Sequence, residues 1–103
     1  VKIYIAGPYS KGDVALNVRA AIDAWEALFQ MGHVPICPHL THFIHMIHPH
    51  KYQDWLDYDI KLLYDCDALL RLSGESSGAD GEESVARDMG IPIYHSISEI
   101  PKP

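Results

Sequence analysis

The run Ala68-Leu69-Leu70-Arg71-Leu72 is too short for a helix of its own and reads as a buried strand. Directly behind it come Ser73-Gly74-Glu75-Ser76-Ser77-Gly78-Ala79-Asp80-Gly81, small and turn-forming residues throughout. Val85, Ala86 and Met89 then follow at the spacing of one helix face. Strand, turn and helix in this order form the unit from which parallel sheets are built. In such a turn the backbone N–H groups converge, and the helix N-terminus favours a negative ligand.

The rest of the chain alternates in the same way. Lys2–Ala6 reads as a first strand, and Gly7-Pro8-Tyr9-Ser10-Lys11-Gly12 as a loop. Asp13 suits the N-cap of a helix whose stripe is Val14, Val18, Ala21, Trp25 and Leu28, ended by Gly32. His33–Cys37 is a second strand, which Pro35 assigns to an edge or a strand start. Pro38–His50 reads as irregular. Tyr52–Cys66 reads as a helix burying Leu56, Ile60 and Leu63, and Asp67 begins the third strand. Gly90 stops the next helix, Ile91–His95 is a fourth strand, and Ser96–Ile100 a last helical turn.

The expected fold is therefore α/β: a three-layer, Rossmann- or flavodoxin-like arrangement with a small parallel sheet of about four strands, flanked by helices. Ligands in such sheets gather at the carboxyl ends of the strands, where the strand order reverses. The loops Gly7–Gly12, Pro38–His50 and Ser73–Gly81 should meet there.

At 103 residues the chain is expected to be one domain, residues 1–103. It is 48% hydrophobic and 21% charged, as an ordinary globular protein is, and no apolar run approaches the roughly 20 residues of a membrane span. The sequence opens on a strand-like run without a basic leader, and Cys37 and Cys66 make no disulfide framework; a cytoplasmic setting is expected. A net charge of −6 with scattered Lys and Arg argues against a duplex nucleic-acid surface, and leaves room for a small anionic ligand held by backbone N–H groups and hydroxyls. So small a core leaves a shallow cleft, which suits closure by another subunit.

Two carboxylates stand out. Glu82, expected in the first helical turn, lies three, four and seven residues before Val85, Ala86 and Met89 and shares their inward face, whereas Glu83 should look to solvent. Asp59 precedes Ile60 on the preceding main helix. Each also has a plain reading: a helix-start glutamate favoured by the dipole, and a solvated acid beside Asp54 and Asp57. Together, nucleophile and general acid are the division of labour that cleaves a bond to an anomeric carbon.

Tyr4-Ile5-Ala6-Gly7, then Asp59-x7-Asp67, then Ser76-Ser77-Gly78-x3-Glu82, in that order, resemble the nucleoside 2-deoxyribosyltransferase superfamily. This superfamily includes 2′-deoxynucleoside 5′-monophosphate N-glycosidases and short uncharacterised members. The resemblance covers nearly the whole chain. It implies that Glu82 attacks C1′ to give a covalent deoxyribosyl-enzyme, that Asp59 moves a proton to and from the base, and that Tyr4 orients the nucleophile. Water would take the sugar in a glycosidase, and a second base in a transferase; the alternative of another class is a non-catalytic nucleotide-binding module that uses the same cradle without turnover. Resemblance to the family further implies a homodimer or higher oligomer, with no cofactor.

In the transferases an aspartate that resembles a 5′-hydroxyl ligand stands six residues before the nucleophile; here that position is Ser76. Ser76, Ser77 and the Gly78 amide suit a phosphate instead, with Gly7, Ser10 and Lys11 contributing from the first loop. The glycosidases extend past the fourth strand, whereas this sequence stops at Pro103, and Asp80 adds negative charge beside any phosphate. Six of seven histidines fall between His33 and His50. His42, His45 and His48 recur every third residue, but no carboxylate or cysteine completes a familiar metal motif, and no metal is expected. His39, His42 or Phe43 are expected to touch the base, an interface role for the Pro38–His50 loop being equally open, and Trp25 and Trp55 to serve the core or a subunit contact.

Overall fold

The computed structural model describes residues 1–103. Its elements are β1 (Lys2–Ala6), α1 (Val14–Met31), β2 (Val34–Ile36), a 3₁₀ turn (Pro38–Leu40), α2 (Thr41–Ile47), α3 (Tyr52–Tyr64), β3 (Ala68–Arg71), α4 (Ser77–Met89), β4 (Ile93–Tyr94) and a closing 3₁₀ turn (Ile97–Glu99). The strands form one parallel sheet in the order β2-β1-β3-β4.

The order follows from the crossovers. The chain steps outward from β1 to β2 through α1, then jumps back over β1 to β3 and continues to β4. Right-handed crossovers in opposite directions place their helices on opposite faces. The two cores match that rule. Ile3, Ile5, Ala68 and Leu70 pack with Ala21, Ala24 and Leu28 of α1. Tyr4, Ala6 and Leu69 point the other way, against Leu63 of α3 and Ala79 and Ala86 of α4. Strand order reverses between β1 and β3, so the crevice opens beyond Ala6 and Arg71.

Local chemistry sets the ends. The Asp13 carboxylate accepts from the Leu16 amide, and Gly32 closes α1 in the left-handed conformation. Ser76 caps α4 by accepting from the Ala79 amide. The helix thus begins at Ser77, inside the expected loop, and Glu82 stands in its second turn rather than its first. The Pro38–His50 segment is likewise not irregular, since it holds the Pro38–Leu40 turn and α2. Gly74 has φ +116° and a Cβ there would lie 2.7 Å from Pro8 Cγ, so only glycine lets the loops after β1 and β3 meet. No helix is long and apolar enough to cross a membrane.

Candidate active site

The three loops meet at a cavity of about 540 Å³ over the carboxyl ends of β1 and β3. Its walls are Gly7, Tyr9, Ser10 and Lys11 after β1; Pro38, His39, Thr41, His42 and His45 after β2; Tyr52, Trp55, Leu56 and Asp59 on α3; and Glu75 to Asp80 with Glu82 around the start of α4. Tyr4 lies beneath this floor, fully buried, and its hydroxyl donates to Glu82 Oε2. Strand alternation delivers that bond, since Tyr4 points to the face α4 covers.

The two carboxylates differ in surroundings. Burial pushes Glu82 up to about 7, against the pull of the Tyr4 hydrogen bond and of the Arg71 guanidinium, both of which favour the charged form. Asp59 is also pushed to about 7, by burial and then by the charge of Glu82. No group offsets this for Asp59: its Oδ1 is buried without a hydrogen-bond partner. Within the pair, Tyr4 and Arg71 thus favour the charged form of Glu82, and no group does the same for Asp59. Burial, Glu82 and Asp59 together hold the Tyr4 phenol far above its ordinary range, so it remains a donor.

Arg71 went unnoticed in the sequence because it closes an apolar strand. Its side chain is 10% exposed, donating to the Leu72 carbonyl at 2.6 Å, the Gly74 carbonyl at 3.0 Å and Asp80 Oδ1 at 3.1 Å. Glu83 Oε1 lies 3.8 Å from Arg71 Nε, and Glu83 Oε2 accepts from Arg87 at 2.9 Å. Glu83 is thus largely buried between two arginines, contrary to the solvent-facing expectation, because Arg71 at the end of β3 reaches the flank of α4 on one side and Arg87 folds back on the other. Asp80, expected to add negative charge beside any phosphate, lines the cavity and also accepts from Arg71.

At the start of α4 the Ala79 amide is met by the Ser76 hydroxyl and the Asp80 amide by the Ser76 carbonyl. The Ser77 and Gly78 amides have no partner within the helix and stand at the cavity wall. Lys11, across the mouth, pairs with Glu75 at 2.9 Å; both are exposed, so the bridge is weak.

A family profile described as a domain of unknown function, DUF7768, matches residues 1–96. The chain belongs to this family. No curated protein matches it in sequence. The DUF7768 chain resembles the solved structure of a 2-deoxyribosyltransferase from the psychrotolerant bacterium Bacillus psychrosaccharolyticus with a TM-score of 0.69. At 17% identity over 90% of this chain and 69% of the other, the likeness is one of fold.

The cavity of this DUF7768 chain collects Gly7, Ser10, Lys11, His39, His42, Asp59, Ser76, Ser77, Gly78 and Glu82, with Tyr4 directly behind Glu82. His39 is committed elsewhere: buried, and kept neutral by that burial, it donates from Nε2 to the Pro8 carbonyl at 2.8 Å and ties the second loop to the first. Phe43 does not line the cavity and is half exposed. Trp25 is partly buried against the α1 core and stacks on Phe29, whereas Trp55 lines the cavity. Tyr9, Tyr52 and His45 complete the aromatic wall. The spacing of the histidines on α2 was the signal available for His45.

Proposed function

We propose that this protein cleaves the N-glycosidic bond of a 2′-deoxynucleoside 5′-monophosphate, with Glu82 as nucleophile and Asp59 as proton donor. The asymmetry of the carboxylate pair carries the reading. Glu82 has a hydroxyl and a guanidinium favouring its anion, while Asp59, partly buried, has one buried oxygen without a partner and keeps the proton. The resemblance in sequence motifs and the likeness in fold support the same substrate class.

In the first step Glu82 Oε1, which has no protein partner, attacks C1′ as the C1′–N bond breaks. The bonding electrons leave with the base, which takes the Asp59 proton. Tyr4 holds Oε2 throughout. In the second step water attacks C1′ of the deoxyribosyl ester, gives its proton to the Asp59 carboxylate and frees Glu82. The free Ser77 and Gly78 amides, the Ser76 hydroxyl and Lys11 support a 5′-phosphate at the start of α4. A phosphate there would compete with Glu75 for Lys11.

A second reading replaces water by another nucleobase. The fold neighbour is named as a 2-deoxyribosyltransferase, and the acidic Glu75 and Asp80 at the cavity suit a 5′-hydroxyl better than a phosphate.

The test is chromatography of free base from 2′-deoxynucleosides and their 5′-monophosphates, each with and without a second base. Release from monophosphates alone is expected, abolished in Glu82→Ala and retained in the exposed control Asp88→Ala. A new nucleoside formed only with an acceptor supports the transferase reading. Absence of turnover on every substrate would sink both.

A further inference from the structure

Of the cavity-lining histidines, His45 is set apart by what its ring nitrogens meet. Nδ1 accepts from the indole Nε1–H of Trp55 at 2.9 Å and from the backbone N–H of His50 at 3.1 Å. Both partners are donors and nothing else, so Nδ1 carries no proton. A neutral imidazole has one N–H, and here it must be on Nε2. No protein group accepts from that Nε2. Its neighbours are spent or undetermined by comparison. His39 uses its Nε2–H on the Pro8 carbonyl, and His42 Nδ1 meets the Tyr9 hydroxyl at 2.6 Å, a partner able to donate or accept.

We propose that His45 is a specificity-determining residue of this cavity, its Nε2–H binding an acceptor atom, a carbonyl oxygen or ring nitrogen, on the edge of a nucleobase. The inference rests on the nucleotide reading above and adds to it which edge chemistry the base must carry. Trp55 has two duties here. Its indole N–H, with the His50 backbone N–H, fixes the tautomer, and its ring, at 5.9 Å and 70° to that of His45, forms the adjoining cavity wall. Since α3 supplies both Trp55 and Asp59, the group that fixes this donor and the acid that protonates the base share one rigid element. The donor is therefore held in place relative to the leaving group, rather than carried by a free side chain.

The test has one arm that needs no turnover. Long-range ¹⁵N–¹H NMR of the ligand-free full chain is expected to show His45 as the Nε2–H tautomer. In the base-release assay, His45→Phe is expected to raise KM about tenfold for the preferred monophosphate and to change kcat little, while His45→Gln, which restores an N–H near the Nε2 position, recovers most of the loss. A deaza analogue that replaces the contacted acceptor by C–H should lose the same factor with the wild type and nothing further with His45→Phe. Base release with KM unchanged in His45→Phe on every substrate, or Nδ1–H in the free protein, overturns the proposal and leaves the nucleotide reading standing. No release by the wild type from any substrate overturns both.

Discussion

Replacing Asp59 by asparagine tests the electrostatics of the cavity without requiring turnover. Burial and the charge of Glu82 raise Asp59 from an ordinary value of 3.8 to about 7. A carboxyl whose proton affinity is higher in the folded state stabilises the fold fully below the unfolded value. That contribution is lost as pH rises through the folded one. Between pH 4 and pH 7 the wild type should therefore lose stability through this group, and the asparagine variant should not. At about 1.4 kcal/mol per tenfold in proton affinity, the interval sets a ceiling of about 4 kcal/mol. Asp59 is only partly buried and reaches the solvent of the cavity, so screening brings the expected gain at pH 8.5 to about 1–2 kcal/mol. For a domain of this size that is a rise in Tm of about 5–10 °C. Thermal unfolding of both proteins at pH 4 and pH 8.5 checks it: the gap should open only at the higher pH. An equal gap at both pH values, or a less stable variant at pH 8.5, would refute the argument that Asp59 is ionised there at a cost.

Three further perturbations probe neighbouring groups. Tyr4→Phe removes a hydrogen bond that favours the Glu82 anion, so the acidic limb of the pH–rate profile for base release should move up by about one pH unit. Arg71→Met takes an opposite charge from Glu82 and unties Leu72, Gly74 and Asp80; it should shift the same limb upward and destabilise by about 2–4 kcal/mol in urea unfolding. Gly74→Ala and Gly81→Ala should differ in sign. The first meets a positive φ and Pro8 Cγ at 2.7 Å and should cost about 2 kcal/mol or more, whereas Gly81 sits inside α4 with open space at its Cβ and should gain up to about 1 kcal/mol.

The layers and the carboxylate pair were legible because each is written locally. Periods of two and of 3.6 alternate along the chain, and the inward phase of Glu82 follows from Val85, Ala86 and Met89 whichever residue starts the helix. The start itself was hidden, since Gly78 and Gly81 look like loop residues while the Ser76 cap decides the boundary. Helix α2 was obscured by the prolines on either side. Leu40, Phe43, Ile44 and Ile47 do have helical spacing, yet in the folded chain they face outward. The pairing of Arg71 with Asp80 and Glu83 had no local signature at all, because it depends on where α4 crosses the end of β3. The tautomer of His45 is of the same kind, fixed by an indole ten residues away together with the His50 backbone N–H.

The borders of the sheet bear on whether another strand can add to it. One outer strand, β2, has three residues with a proline at its centre, and the other, β4, has two. Pro35 has no N–H to offer, and a two-residue strand presents too short a row of donors and acceptors to template another chain. Growth of the sheet from molecule to molecule is closed at both sides. The exposed apolar side chains lie instead on a helix, α2, at Phe43, Ile44, Met46 and Ile47.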